Sequence, residues 1–512
     1  MASGGGEAIE AADQPELWPA RPGLAGADIE EVQRRARRAP RALLARRAFA
    51  ICLGLASLVT IPHFVPPREY GLAAMSTAVF GLADMFKDFG LTSALLRKGE
   101  IRAAEVSFLF WFNCAMTAVL AAVLALAAPL TASYFREPQV APVMLVSLAG
   151  FVADGLALQH RSVMVRDLRF QALAAIDSAV TFAQFIATLG VAAVTRDVWA
   201  IVVGYVAAKV LGAVAIVIAS QWRPGPPRWA PASGALFAFG ANVSIYNLSV
   251  FVSLNIAGVL IGRHFGSHEL GQYNRAVALQ ILPMANFVAP LAEATLPVLA
   301  RLRPRPDLYR RAYLDLVRNL NLVVLPAAVL VFFAARPLVT LVLGPRWAEA
   351  GSLLQALAPL VAAPGLGYAA NDLFVTQNRS AELRTLGFIE LAFRLAGIWA
   401  ALPFGVVWVA ASASATTVVV VLARIAVAGR TGPVTFRDHL VALAPSGPLA
   451  LGALIGSGGA ALAAARLTLP PPAAAAAICL GGVLMCSLLG LASPASRRGL
   501  VDLAATLRGQ HS

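Results

Sequence analysis

The sequence predicts an all-α polytopic membrane protein with about 14 transmembrane helices, arranged as two six-helix lobes in a parallel pseudo-repeat plus two C-terminal helices. Three observations carry this reading. Of 512 residues, 59% are hydrophobic and 13% charged, with mean hydropathy +0.72; soluble domains are roughly half apolar and a quarter charged. Apolar stretches of about 20 residues, the length that crosses roughly 30 Å of hydrocarbon, recur along the chain. The lysines and arginines between them fall mostly on alternate connections, as the positive-inside rule requires.

The first forty residues (1–40) are rich in Gly, Ala, Pro and acids and turn basic at "RRARRAPRALLARR". No short apolar core with a cleavage site precedes that run, so a disordered cytoplasmic tail is expected rather than a cleaved signal. Its basic end, Arg34 to Arg47, reads either as a stop signal or as a segment lying on anionic headgroups. An N-terminal lobe at 41–220 then contains candidate spans near 42–62, 71–96, 104–132, 139–160, 170–194 and 197–219. After "QWRPGPPRWAPASG" (221–234), a C-terminal lobe at 235–430 contains spans near 235–261, 277–300, 318–343, 351–375, 381–403 and 406–428. Two additional helices, near 440–465 and 473–493, occupy 438–495, and 496–512 reads as a second cytoplasmic tail. With the amino terminus inside, 30 lysines and arginines lie on inner connections and 8 on outer ones. Seven of the eight tryptophans fall at or near span ends, where an aromatic belt belongs. Glu69-x-Gly71 and Glu269-x-Gly271 open the second span of each half, a faint echo of the repeat.

The basic balance, +14, is explained by topology rather than by nucleic acid. Cys52, Cys114, Cys479 and Cys486 lie in apolar stretches without metal-ligand spacing, so neither a disulfide framework, a metal site nor a cofactor is expected. There is no phosphate-cradling Gly-Lys-Ser/Thr loop, no HExxH and no nucleophile elbow, and the outer connections are too short for a catalytic domain. The chain does not read as an enzyme.

Charges inside spans carry the functional signal, because each costs at least ~2.5–3.5 kcal/mol at the bilayer centre unless it faces a bundle interior or water. In "GLADMFKDFG", Asp84, Lys87 and Asp88 share one helical face. Asp154 and Asp177 lie in the inner halves of the fourth and fifth spans, Lys209 stands mid-span in the sixth, and Glu293 sits in the eighth. Glu390 and Arg394 are spaced i, i+4 in the eleventh. Two readings stand for these groups: neutralised pairs that lock helices together, with Asp154 or Asp177 as the partner of Lys209, or the lining of a wet binding chamber. The seventh span holds Asn242, Tyr246, Asn247 and Asn255, an amide-rich face that suits interhelical hydrogen bonding or a hydroxyl-rich cargo. Pro283, Pro290 and Pro297, seven residues apart, weaken the eighth span nearly on one face and make it a candidate hinge.

"EYGLAAMSTAVFGLADMFKDFGLTSALLRKGE", "LALQHRSVMVRDLRF", "LIGRHFGSHELGQYNRAVALQILPMANFVAPLAEATLPVLARL" and "LVLGPRWAEAGSLLQALAPL" together resemble bacterial polysaccharide and oligosaccharide flippases. These form the polysaccharide transporter branch of the multidrug/oligosaccharidyl-lipid/polysaccharide exporter superfamily, and the similarity spans about 45 to 430. The resemblance implies two lobes around a central cavity that opens alternately to the cytoplasm and the periplasm of a bacterial inner membrane. It implies as cargo an undecaprenyl-pyrophosphate-linked oligosaccharide repeat unit for exopolysaccharide, capsule or O-antigen, and as partners the bilayer and a polysaccharide polymerase or export machinery. On that reading Lys209, Arg394 and Lys87 contact the pyrophosphate, Asn242, Tyr246, Asn247 and Asn255 the sugars, and Asp84, Asp88 or Glu293 a coupling H⁺ or Na⁺. The family often has an acidic residue where this chain has Asn255. A cation-coupled multidrug exporter, a peptidoglycan-precursor flippase of the same superfamily and a non-transporting membrane scaffold are the competing readings.

Overall fold

The structure is a computed structural model that describes residues 48–87, 103–226, 251–288, 298–363 and 379–507, with a few single positions between them. Every regular element among the described residues is helical. Nine of these helices are long and apolar enough to cross a bilayer, and two shorter apolar helices accompany them. The protein is an all-α, multi-pass membrane protein. The expected spans 42–62, 71–96, 235–261, 277–300 and 351–375 lie partly outside the described residues, and the 1–40 tail lies wholly outside them. Two compact units are formed by Met1–Val252 and Ser253–Ser512.

In the first unit, α1 (Ala48–Phe64) meets α2 (Pro67–Lys87) at a proline pair, and Pro67 sits in the first turn, where its missing N–H breaks no helical bond. Helices α3 (Ala103–Phe135), α4 (Val140–Arg166), α5 (Phe170–Thr195) and α6 (Val198–Ser220) follow. The start of α6 is fixed by two carboxylates: Asp197 accepts from the Trp199 N–H at 3.0 Å, and Glu69 of α2 accepts from the Val198 N–H at 3.1 Å. Both satisfy orphan first-turn donors and complement the helix dipole. Apolar side chains such as Val119, Leu126, Leu130, Val194 and Ile218 point outward, as lipid-facing helices require. Ile61, Val65, Ala192 and Ala200 pack inward.

The second unit contains all but the first two residues of α7 (Phe251–Phe265), with α8 (Ser267–Pro283), α9 (Pro306–Leu343), α10 (Ala348–Leu357), α11 (Ser380–Ala401) and α12 (Val406–Thr431). Directly after Pro283 the helix widens into a π-turn, Met284–Val288, so the backbone departs from α geometry at the first of the three candidate hinge prolines. Pro290 and Pro297 lie outside the described residues. The 38 residues of α9 extend about 57 Å at 1.5 Å each, and its buried Tyr309, Tyr313, Leu316, Val317, Leu320 and Val324 form the spine of the unit's core.

The thirteenth expected span, 440–465, is interrupted. α13 (Phe436–Leu443) ends before Pro445, and α14 (Ser446–Arg466) starts beyond it, because a proline cannot continue the hydrogen-bond ladder. α15 (Pro471–Ala492) pairs with α14, and both pack on α9. The segment read as a tail from 496 is helical, α16 (Pro494–Leu507), and is tied back by the Asp502 to Arg318 pair at 3.1 Å.

A reciprocal capping box between Thr435 and Asp438 starts α13. Asp438 also pairs with Arg310 of α9, and this hydrogen-bonded guanidinium holds its carboxyl well below the usual range. His439 is buried; its ring nitrogens meet the Tyr313 hydroxyl at 2.8 Å and the Thr435 carbonyl at 3.0 Å. Burial pushes its imidazole below the ordinary value. A histidine with a depressed folded pKa contributes fully above its unfolded pKa of about 6.5 and loses that contribution as pH falls through that value. The Asp438 contribution is lost later, below about pH 4. The detergent-solubilised protein is therefore expected to melt at a lower temperature at pH 5.5 than at pH 7.5, and His439→Gln is expected to flatten the difference. An unchanged slope in that variant would remove His439 as the cause.

Candidate functional site: two charge clusters within the helices

In the first unit, Lys87 ends the described part of α2 with its side chain only 4% exposed. Its Nζ lies 2.7 Å from Asp84 Oδ1 and 3.1 Å from Asp154 Oδ2 of α4. It also stands 4.0 Å above the ring of Phe151, one turn before Asp154 on the same helix. Phe151 is fully buried and packs at a tilt against Phe80 at 5.7 Å, which holds the ring in place. The other oxygen of Asp154 accepts from Lys209 Nζ of α6 at 2.7 Å. A glycine makes this reach possible. A Cβ at Gly150 would come within 2.8 Å of the Tyr205 ring and 3.4 Å of Lys209 Cβ, so only the bare backbone lets α6 approach α4 this closely.

Acid and base thus alternate as Asp84, Lys87, Asp154 and Lys209 across three helices, with no net charge when all are ionised. The burial is uneven. Lys87 is enclosed, whereas the side chains of Asp154 and Lys209 are each 36% exposed and that of Asp84 is 47% exposed. The cluster is a buried cation anchored by two carboxylates, with a second cation on its open side.

In the second unit, Glu390 of α11 holds two arginines, Arg394 at 3.3 Å and Arg424 of α12. Arg394 also donates to Thr417 Oγ1 at 2.8 Å and to the Ser253 carbonyl at 3.4 Å. These side chains are well buried and sum to one positive charge. Such a set can lock α7, α11 and α12 together, and guanidinium groups of this kind suit the recognition of anions.

The structure joins three of the residues singled out in the sequence, Asp84, Lys87 and Lys209, through a fourth, Asp154, that had been weighed only as a partner. Asp177 pairs instead with Arg161 at 2.7 Å, on an exposed face. Arg424, not singled out in the sequence, is carried to Glu390 by α12. Asn255 lies half-buried in α7. Asp88, Asn242, Tyr246, Asn247 and Glu293 lie outside the described residues.

A third group was not expected. His268 and Glu269 of α8 and Glu349 of α10 bring one ligand atom each within 4.8 Å of one another, a donor set able to hold a divalent cation. Burial and then the neighbouring Glu349 push the Glu269 carboxyl up. Buried Gln272 clamps these helices by donating to the Arg346 carbonyl at 2.8 Å and accepting from the Ala350 N–H at 3.0 Å. Eighty positions separate Glu269 from Glu349, so no local spacing announces the group.

Two solved structures share the architecture. The lipid II flippase MurJ in an inward closed conformation superposes with TM-score 0.66 at 15% identity, covering 87% of this chain and 97% of that one. An inward-facing multidrug resistance MATE family transporter gives 0.57 at 12% identity, covering 78% and 94%. Among curated relatives, the lipopolysaccharide biosynthesis protein WzxC of Escherichia coli (strain K12) is 22% identical over 313 residues, 60% of this chain and 63% of its own length. The teichuronic acid biosynthesis protein TuaB of Bacillus subtilis (strain 168) is 24% identical over 283 residues, 54% of this chain and 58% of its own. The match therefore spans about three fifths of those relatives. The family model described as polysaccharide biosynthesis protein matches residues 62–352, more than half of the sequence. The chain belongs to that polysaccharide biosynthesis protein family.

Proposed function

We propose that the protein is a flippase that moves undecaprenyl-pyrophosphate-linked oligosaccharide repeat units from the cytoplasmic to the periplasmic leaflet of a bacterial inner membrane by alternating access, for exopolysaccharide, capsule or O-antigen assembly. The observation that carries this reading is the half-open charge cluster around Asp154, whose Asp154 and Lys209 stand on α4 and α6, both otherwise apolar enough to span lipid. Ionic side chains at that depth need a polar surrounding, and a lipid-linked sugar needs a polar path only for its head. Its prenyl tail can stay in lipid. Lys209 and Arg394 are then the pyrophosphate contacts, and Lys87 supports Lys209 through Asp154. Asn242, Tyr246, Asn247 and Asn255 meet the sugars, and Asp84, Asp88 or Glu293 bind a coupling cation. The relatives named for lipopolysaccharide and teichuronic acid biosynthesis support a glycan cargo.

Deletion followed by lipid extraction tests the reading. Completed sugar repeats are expected to accumulate on the cytoplasmic leaflet, and the combined Lys209→Gln and Arg394→Gln variant is expected to reproduce that accumulation with polymer output reduced at least about tenfold. An untouched lipid-linked pool would sink the proposal and point to a small-molecule exporter.

A further inference from the structure

We propose that Asp154 is an internal anion that occupies Lys209 between transport cycles and yields it to the phosphate of the cargo. This rests on the flippase reading and assigns a device to the same site.

The argument is the asymmetry of the two lysines. Lys87 is enclosed, bonded to both Asp84 and Asp154 and seated on the Phe151 ring, so its position is over-determined. Lys209 has Asp154 as its one carboxylate partner among the described residues and is 36% exposed, on the open side of the cluster. An ammonium carries three donors that rotate freely about the end of a flexible stem. Lys209 can therefore turn toward an arriving phosphate oxygen, whereas Lys87 cannot. When it turns, Asp154 keeps its 3.1 Å bond to Lys87 and so retains a counter-ion. When the phosphate departs, the Asp154 carboxylate is 2.7 Å away to receive Lys209 again. Neither step leaves a bare cation in a medium of low dielectric, where it is most costly. Asp154 is thus a positioning residue that weakens cargo binding and, by doing so, permits release.

Competition has a signature opposite to that of a structural part: removing Asp154 tightens binding and slows turnover. The test uses the full chain in lipid nanodiscs, with undecaprenyl pyrophosphate as probe and undecaprenol as the uncharged control. Asp154→Asn is expected to bind the pyrophosphate about tenfold more tightly than wild type, with undecaprenol binding unchanged, and to lower polymer output in a complementation strain. Asp154→Glu, which keeps the carboxylate, is expected to stay near wild type. Lys209→Gln is expected to weaken pyrophosphate binding about tenfold. If Lys209→Gln weakens binding while Asp154→Asn leaves it unchanged or weaker, Asp154 is structural and the proposal is wrong, with the flippase reading intact. If Lys209→Gln binds like wild type, the anion does not sit at Lys209 and both assignments fall. Should Asp154→Asn not survive extraction, Asp154→Ser measured in native membrane vesicles gives the same comparison.

Discussion

Replacement of Lys87 by methionine is expected to abolish transport and to destabilise the protein by roughly 3 kcal/mol. That figure is the lower end of the range for breaking a buried ion pair, because the partner carboxylates are partly exposed. Methionine fills the space of the lysine stem but returns nothing to Asp84 or to Asp154, which lie at 2.7 Å and 3.1 Å from the missing charge. Three groups would remain with one surplus negative charge, and the Phe151 ring would lose its cation. Lys209→Gln provides the internal contrast. Its side chain is 36% exposed, so it is expected to lose transport with little change in stability. Thermal unfolding of both purified variants, beside complementation of a deletion strain, separates the two lysines. Equal melting temperatures would show that Lys87 is not the anchor described above.

Gly456→Leu is expected to disrupt the C-terminal helix pair, at a cost of at least about 1–3 kcal/mol from overpacking. A Cβ at Gly456 would run into the carbonyl oxygen of Gly481, and one at Gly452 into the backbone of Met485. Backbone cannot swing aside as the end of a long side chain can. α14 and α15 therefore meet along bare backbone, and their shared surface packs on α9. Limited proteolysis at the connection 467–470 reads the outcome: rapid cleavage in Gly456→Leu and slow cleavage in Gly459→Leu, where a Cβ meets nothing within 4 Å. Equal rates in the two variants would contradict the packing argument.

What could be read in the sequence follows the range of each force. Hydropathy acts over one turn after another, and so the helices around 104–132, 170–194, 197–219 and 406–428 match α3, α5, α6 and α12 to within a few residues at most ends. Pairs within one helix were equally legible, since Asp84 with Lys87 and Glu390 with Arg394 need only the i, i+3 and i, i+4 rule. The hub was not. Asp154 is 67 positions from Lys87 and 55 from Lys209, and which of two aspartates within the spans meets a lysine depends on helix rotation that no local pattern encodes. Arg424 could not be singled out, because a long stem at a span end can reach inward as readily as outward. The break at Pro445 and the Gly452-x-x-x-Gly456 spacing were both visible in the letters, but hydropathy averages over such single residues.

The two clusters also differ in how an electric field acts on them. Asp84, Lys87, Asp154 and Lys209 cancel, whereas Glu390, Arg394 and Arg424 together carry two cations to one anion. Displacing a neutral group along the membrane normal does no electrical work, while carrying one elementary charge fully across costs or releases about 2.3 kcal/mol per 100 mV. While its ion pairs are intact, the amino-terminal set is therefore electrically silent to the membrane voltage.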